Sequence, residues 1–412
     1  MKTLMKQRVP GQLVIQFTDR CNAQCPQCGM RISEDFPRSQ LESHQVMDLI
    51  DAAASKGMRS LSFTGGEPFL RKDELLPLIR YAVFLGIPYV RTGTNGFMFM
   101  GSESKGFESR MGRLAEDLAE SGLRNFWISI DSAVPAIHEA MRGLPGVIQG
   151  IRKALPIFHQ NGLFPSANLG INRNVTEETR TLEPGNGHDS EDYLAEFYRR
   201  YREGFRAFYT AVIDMGFTIV NSCYPMSVAA DDGLEAVYSA SSSDNVVRFS
   251  KAEKAVLYRA LFETIPEFKH QTRIFSPRAS LYALIKEETG PAGVDSDSYP
   301  CRGGLDFFFV DAKKGHAYPC GYRGQDDLGP FPDLDLASLK SPAHCKECHW
   351  ECFRDPSELA GPLLDVFRRP SGVIKKFLGD RTYARLWFED LMYYRTCGWF
   401  DGRKAPRLKS LS

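Results

Sequence analysis

The sequence predicts an α/β protein: a partial (β/α)6 barrel of parallel strands, then a small cysteine-rich domain, then a helical C-terminal tail. Three observations carry this prediction. Short apolar runs alternate with helical stretches six times through the first half of the chain. From about Pro300 the texture changes, with Gly, Pro and Cys rising and long helical patterns giving way to short elements. Beyond that, residues 363–400 carry aromatic side chains at helical spacing, among them Phe367, Phe377, Tyr383, Trp387 and Tyr394.

The elements follow in order. Residues 12–17 (QLVIQF) read as the first strand, and 43–56 as a helix with Val46, Leu49, Ile50 and Ala53 on one face. Strands are predicted at 60–64, 89–94, 125–131, 164–172 and 218–223, with helices at 73–85, 112–120, 147–160 and 190–216 between them. Six units, rather than eight, predict an open, TIM-like arrangement. The aromatic residues Phe197, Tyr201, Phe205, Phe208 and Tyr209 in the longest helix read as core. Two turn-rich stretches, 181–190 and 229–245, interrupt the pattern, and the second reads as a flap. The expected division is a lead-in at 1–11, the barrel at 12–290, the cysteine-rich domain at 291–360 and the tail at 361–412.

Composition bounds the partners. Lys plus Arg and Asp plus Glu are both 51, so the formal net charge is zero, which argues against nucleic acid as the main partner. The first eleven residues lack an apolar signal core and no run is long enough to span a membrane, which predicts a cytoplasmic chain. Ten cysteines in a reducing compartment point to metal rather than disulfides. Three of them lie within Cys21–Cys28 and five within Cys301–Cys352.

Cys21, Cys25 and Cys28 directly follow the first strand. Three thiolates on one short loop suit three irons of a 4Fe–4S cube and leave the fourth open to an exogenous ligand. A structural zinc site is the competing reading, but it wants four closed ligands and the loop offers three, without His. Other polar features end the following strands: Thr64-Gly65-Gly66-Glu67-Pro68, Thr94-Asn95-Gly96, then Ser129 and Asp131. Strand C-terminal ends share one rim in a parallel α/β structure, so these features face one cavity. Two glycines allow close backbone approach to a small ligand, and the following Glu can accept a hydrogen bond from an ammonium group.

This combination of CxxxCxxC and GGEP resembles the radical S-adenosylmethionine (SAM) superfamily, over about residues 13–223. The resemblance implies that Cys21, Cys25 and Cys28 ligate a catalytic 4Fe–4S cluster whose open iron chelates the methionine of SAM. It further implies that Gly65, Gly66 and Glu67 contact that methionine, and that Asn95, Ser129 and Asp131 lie near it or the ribose. Strand-end capping is the alternative for Ser129 and Asp131. The family often has an aromatic residue before the third cysteine, where this chain has Gln27. Asn168, Gly170 and Asn172 match the family's ribose-side pattern weakly.

The second cysteine group comprises Cys301, Cys320, Cys345, Cys348 and Cys352, with 305–310 and 316–319 suggesting a hairpin that turns at 313–315. It resembles the SPASM and twitch extensions that carry auxiliary 4Fe–4S clusters. The full SPASM pattern has more cysteines, so one complete auxiliary cluster is the economical expectation, on Cys301, Cys320, Cys345 and Cys348, with Cys352 competing for the last place. Two clusters with open or non-Cys ligands are one alternative, and a zinc ribbon is the bland one. His344 and His349 read as solvated, with a ligand role for either as the alternative, and Cys223 as a small buried residue. Cys397 stands apart.

The resemblance implies an enzyme that reductively cleaves SAM to a 5′-deoxyadenosyl radical and takes a hydrogen atom from its substrate, for oxidation or rearrangement. No side chain is assigned as catalytic from sequence. The first strand starts at about Gln12, leaving no room for a preceding peptide-recognition domain, which favours a small molecule over a ribosomal peptide. An electron donor such as flavodoxin or ferredoxin is expected. A non-catalytic iron–sulfur electron carrier is the remote alternative, against which the GGEP loop argues.

Overall fold

The computed structural model describes residues 7–26, 28, 38–182, 190–225, 246–290, 298–339 and 348–407. The stretch 229–245, read above as a flap, lies outside the described residues, as do Gln27, His344 and Cys345.

Among the described residues nine strands form one sheet in the order β7-β6-β5-β4-β3-β2-β1-β8-β9. These are β1 (Gly11–Thr18), β2 (Met58–Gly65), β3 (Tyr89–Thr94), β4 (Asn125–Ser129), β5 (Ser166–Gly170), β6 (Ile219–Cys223), β7 (Arg273–Phe275), β8 (Phe307–Val310) and β9 (Ala317–Tyr318). Every neighbouring pair from β7 to β8 is parallel, and only β8 and β9 run antiparallel. The helices between the strands are α1 (Ser43–Ser55), α2 (Lys72–Phe84), α3 (Phe107–Glu120), α4 (Pro135–Arg142), α5 (Val147–Gln160), the single turn α6 (Glu177–Arg180), α7 (Glu191–Met215), α8 (Lys251–Phe268) and α9 (Arg278–Thr289). The partial α/β barrel is as expected, with a seventh strand beyond the six. β7 is only three residues long, too short to show a period.

Local chemistry explains the element ends. β1 is buried along nearly its whole length because helices cover one face and the barrel interior the other. α7 starts where Ser190 Oγ accepts from the Tyr193 N–H and stops at Gly216, whose φ of 107° only glycine adopts cheaply. Its aromatic stripe is core: Phe197, Tyr201, Phe205, Phe208 and Tyr209 are all buried.

The cysteine-rich segment continues the barrel's own sheet. β8 pairs with β1 over Gln12↔Phe307 to Ile15↔Val310, and the β8–β9 hairpin turns near Gly315, at φ 71°. The helical tail is α10 (Glu351–Arg368), α11 (Pro370–Gly379) and α12 (Arg381–Thr396). α10 begins twelve residues before the helix read from residue 363, because Pro356 and Pro362 inside it mask the period. The last described residues fold back beneath the barrel, where Gly402 N donates to the Arg124 carbonyl and Gly402 O accepts from Phe164 N, each at 2.7 Å. Among the described residues no helix is long and apolar enough to cross a membrane.

Candidate active site

β1 delivers the chain to the first cysteine loop at the C-terminal rim. Cys21, Cys25 and Cys28 line one cavity of about 210 Å³, together with Gly65, Gly66, Glu67, Asn95 and Ser129. The loop is pinned from two sides. Gln24 N donates to the carbonyl of Arg142 at 2.7 Å, and Cys28 N to that of Cys25 at 3.2 Å. Asn95 Nδ2 reaches Asn22 Oδ1 at 2.9 Å and the Cys21 sulfur at 3.5 Å, tying the end of β3 to the loop.

The glycines act first on the chain itself. A Cβ on Gly65, at φ 144°, would lie 1.9 Å from the Thr18 carbonyl oxygen, and one on Gly66 would lie 2.1 Å from that of Arg20. Close approach is therefore to the backbone that carries Cys21, sealed by Gly66 N to Thr18 O at 2.7 Å and Glu67 N to Arg20 O at 2.8 Å. Glu67 is fully buried, and its two carboxylate oxygens accept from the backbone N–H of Asn95 at 2.6 Å and of Phe69 at 3.0 Å. Burial raises its pKa to about 7 against the pull of those bonds. The Glu67 side chain thus holds the β2 and β3 ends together while facing the cavity.

Asp131 stands one step behind the cavity wall. Its Oδ2 accepts from Nε and Nη2 of Arg142, both at 2.8 Å. Its carbonyl accepts from Asn172 Nδ2 at 2.9 Å, and its N–H donates to His138 Nδ1. That arrangement needs a neutral imidazole, which burial favours by lowering the His138 pKa to about 4. Burial works against the Arg142 charge, but Asp131 and the Cys25 sulfur outweigh it, so the guanidinium stays cationic beside the thiols. Burial pushes the Cys25 thiol up to about 12, and Arg142 opposes it. Sequence reading missed Arg142, because the short helix α4 that positions it was not predicted.

These residues fit an iron–sulfur group. Three soft donors face one cavity, a buried cation stands ready to offset the cluster's negative charge, and no imidazole competes. Among the described residues no three His, Cys, Asp or Glu side chains are already drawn to metal-binding distance, so what fits is the shared cavity and its donor chemistry.

Trp127 was also missed. It shares one face of β4 with Asn125 and Ser129, and a Cβ on Gly93 would collide with its Nε1 at 1.9 Å, so the indole lies flat across β3. Trp127 and Thr64 form a wall shared with a second cavity of about 180 Å³ inside the barrel. Asn168 belongs to that second cavity, where Asn221 Nδ2 donates to its Oδ1 at 2.6 Å. Asn172 is fully buried behind Asp131 and does not line the first cavity.

The second cysteine group divides. The hydrogen bond to Cys348, together with burial, raises the Cys320 thiol well above its ordinary value, and Cys301 acts on it as a further neighbour. Cys301, Cys320 and Cys348 therefore converge. Cys352 turns the other way, into the barrel, where its thiol donates to Glu351 Oε1 at 3.4 Å beside Cys223. His349 is not solvated as expected: it is buried, with Nδ1 2.9 Å from the Tyr258 hydroxyl and Nε2 3.1 Å from Glu288. Cys397 is buried near Arg273 and Tyr393, packed with Phe400 beneath the barrel.

Known proteins agree with this geometry. Residues 15–182 match the Radical SAM superfamily. The AdoMet-dependent heme synthase of Oleidesulfovibrio alaskensis is 26% identical over 353 residues, covering 84% of this chain and 77% of that protein. A GTP 3′,8-cyclase of Vibrio parahaemolyticus is 30% identical over 154 residues, covering 36% of this chain and 42% of its own length. Streptococcus suis SuiB bound to S-adenosylmethionine shares the fold at a TM-score of 0.52 and 16% identity, covering 81% of this chain and 67% of SuiB. SuiB has also been solved with its precursor peptide SuiA, at a TM-score of 0.51 and 15% identity, covering 81% of this chain and 66% of SuiB. The cysteine loop, the Gly-Gly-Glu turn that seals it and the matched segment coincide, and on that ground residues 15–182 are a radical SAM domain, in an enzyme working with a 4Fe–4S cluster and SAM.

Proposed function

We propose that this enzyme takes a hydrogen atom from a small molecule held inside the barrel, with Cys21, Cys25 and Cys28 as the ligands of the catalytic cluster. Cluster and SAM together supply a 5′-deoxyadenosyl radical; everything else is positioning and exclusion of water. The observation that carries this reading is the shared wall: Trp127 and Thr64 belong to both cavities, so a group generated in one lies next to whatever occupies the other.

Each residue then has a task. Asn95 and the Gly66–Glu67 backbone fix the cysteine loop against the sheet. Arg142 keeps positive charge beside the thiols, and Asp131 holds Arg142 in place. The folded-back tail closes the barrel from below, where Tyr89 Oη donates to the Phe400 carbonyl at 3.1 Å. Cys301, Cys320 and Cys348, with Cys345, would hold one auxiliary 4Fe–4S cluster, leaving Cys352 to the barrel interior. A flavodoxin or ferredoxin would supply electrons. A peptide substrate is the alternative reading, favoured by the likeness to SuiB, which takes the peptide SuiA. The barrel cavity, of only about 180 Å³, favours the small molecule.

The test is anaerobic reconstitution with iron and sulfide, reduction, and measurement of 5′-deoxyadenosine released from SAM. Release that disappears in Cys21→Ala, Cys25→Ala and Cys28→Ala is expected. A reconstituted, iron-loaded protein that binds SAM yet releases none would overturn the reaction.

A further inference from the structure

The barrel cavity mixes apolar walls with polar side chains that the fold could have replaced by aliphatic ones. Two of its lining groups are ionisable and opposite in sign. Arg91 projects from β3, with its Nε donating to Ser62 Oγ at 2.5 Å and its guanidinium 5.8 Å from the Trp127 ring centre. Glu351 enters at the first turn of α10, is 5% exposed, and shares the Cys352 thiol with Arg91 as a neighbour. Among the described residues Arg91 has a hydroxyl and a thiol as partners, Ser62 and Cys352, and makes no ion pair, and it does not pair with Glu351. Glu351 Oε1 accepts from the Cys352 thiol, whereas Oε2 is buried without a hydrogen-bond partner among the described residues.

A buried carboxyl oxygen with no hydrogen-bond partner is costly unless something answers it; burial raises the Glu351 carboxyl, and an ammonium group beside it would restore its charged form, while the half-buried Arg91 keeps room for an anion. One kind of ligand answers both at once. An anion alone would satisfy Arg91 and leave Glu351 facing it unanswered. An amine alone would do the reverse. A molecule carrying both charges pairs each end and keeps the enclosed charge balanced.

Resting on the reading of this cavity as the substrate chamber, we propose that the substrate is a small zwitterion whose carboxylate is taken by Arg91 and whose ammonium group is taken by Glu351. Arg91 has a planar fork suited to a carboxylate, and its bond to Ser62 fixes the fork's direction. Asn168 and Asn221, linked side chain to side chain, leave amide groups for the middle of the molecule. Trp127 covers the end nearest the cofactor cavity.

The experiment uses the reconstituted full-length enzyme and an ω-amino acid series as probes: glycine, 3-aminopropanoate, 4-aminobutanoate and 5-aminopentanoate. Each is paired with the amine that lacks the carboxylate and the acid that lacks the amine. Binding is read by saturation-transfer NMR at millimolar concentration. At least one zwitterion should bind more tightly than both of its single-charge partners. Arg91→Gln should raise its Kd by about tenfold or more, as loss of a charge-assisted pair demands, while Arg91→Lys, which keeps the charge, restores part of the affinity. Glu351→Gln should weaken the zwitterion and leave the bare acid unaffected. The proposal fails if no zwitterion binds, if the amine or the acid alone binds as tightly, or if Arg91→Gln leaves the Kd unchanged in a protein of unaltered circular dichroism. Cleavage of SAM is measured in the same preparations. Lost cleavage with intact zwitterion binding removes the reaction reading alone, and intact cleavage without binding removes this one alone.

Discussion

Replacing Asp131 by Asn removes one half of the buried ion pair behind the cysteine loop. Two nitrogens of Arg142 stand 2.8 Å from one carboxylate oxygen, with the Asp131 and Arg142 side chains 2% and 9% exposed. At an effective dielectric constant of about 20, unit charges at that distance attract by roughly 6 kcal/mol. An amide oxygen still accepts one bond from Arg142, which returns about 1–2 kcal/mol. The expected net cost is therefore about 4–5 kcal/mol, because a guanidinium remains buried without its partner. Arg142 also offers its carbonyl to Gln24, so its displacement should loosen the cysteine loop and lower the iron retained after gel filtration. Asp131→Asn combined with Arg142→Gln removes both charges and should cost less than the two single changes added together. Urea unfolding under anaerobic conditions measures all four proteins. A loss below about 1 kcal/mol for Asp131→Asn, or strict additivity of the two changes, would refute the reasoning.

Three further predictions follow from the same geometry. Gly66→Ala sets a Cβ 2.1 Å from the Arg20 carbonyl oxygen; forcing the two apart costs about 1–3 kcal/mol and should weaken SAM binding measured by equilibrium dialysis. Cys348→Ala should cost about four irons per chain by colorimetric assay, whereas Cys352→Ala should retain them. Asp390 in α12 accepts from Ala279 N at 2.7 Å, capping the start of α9, and burial raises its pKa to about 7. A raised carboxyl pKa makes a contribution that is complete below the unfolded value and is lost as pH climbs to the folded one. Asp390→Asn removes that dependence, so its stability should gain on the parent protein by roughly 2–3 kcal/mol between pH 5 and pH 7, read from denaturation midpoints.

The rim of the site was legible because it is written in contiguous letters. Cys21, Cys25 and Cys28, the Gly65–Glu67 turn and Asn95 each sit within a short word at a strand end, and strand ends share one side of a parallel sheet. What could not be read was the interior. Arg91, Trp127, Asn221 and Glu351 come from separate elements, and only the register of neighbouring strands decides that their side chains meet. The direction of Cys352 is of the same kind. Cys348 and Cys352 look like one set by spacing, yet the helix that begins at Glu351 turns Cys352 toward the barrel. His349 misled for a related reason: a polar residue beside two cysteines gives no sign that Tyr258 and Glu288 will bury it.

The pairing of β8 with β1 ties two parts of the polypeptide nearly three hundred positions apart into one ruler. Four consecutive backbone rungs fix where Cys320, just past β9, stands relative to Cys21, just past β1. A slip of a single rung would turn Phe307 and Phe309 to the opposite face, so intermediate spacings are forbidden by the pleat. Any electron passing between the two thiol-rich ends would therefore cross a gap set by the weave of the sheet, one that loop insertions elsewhere would leave unchanged.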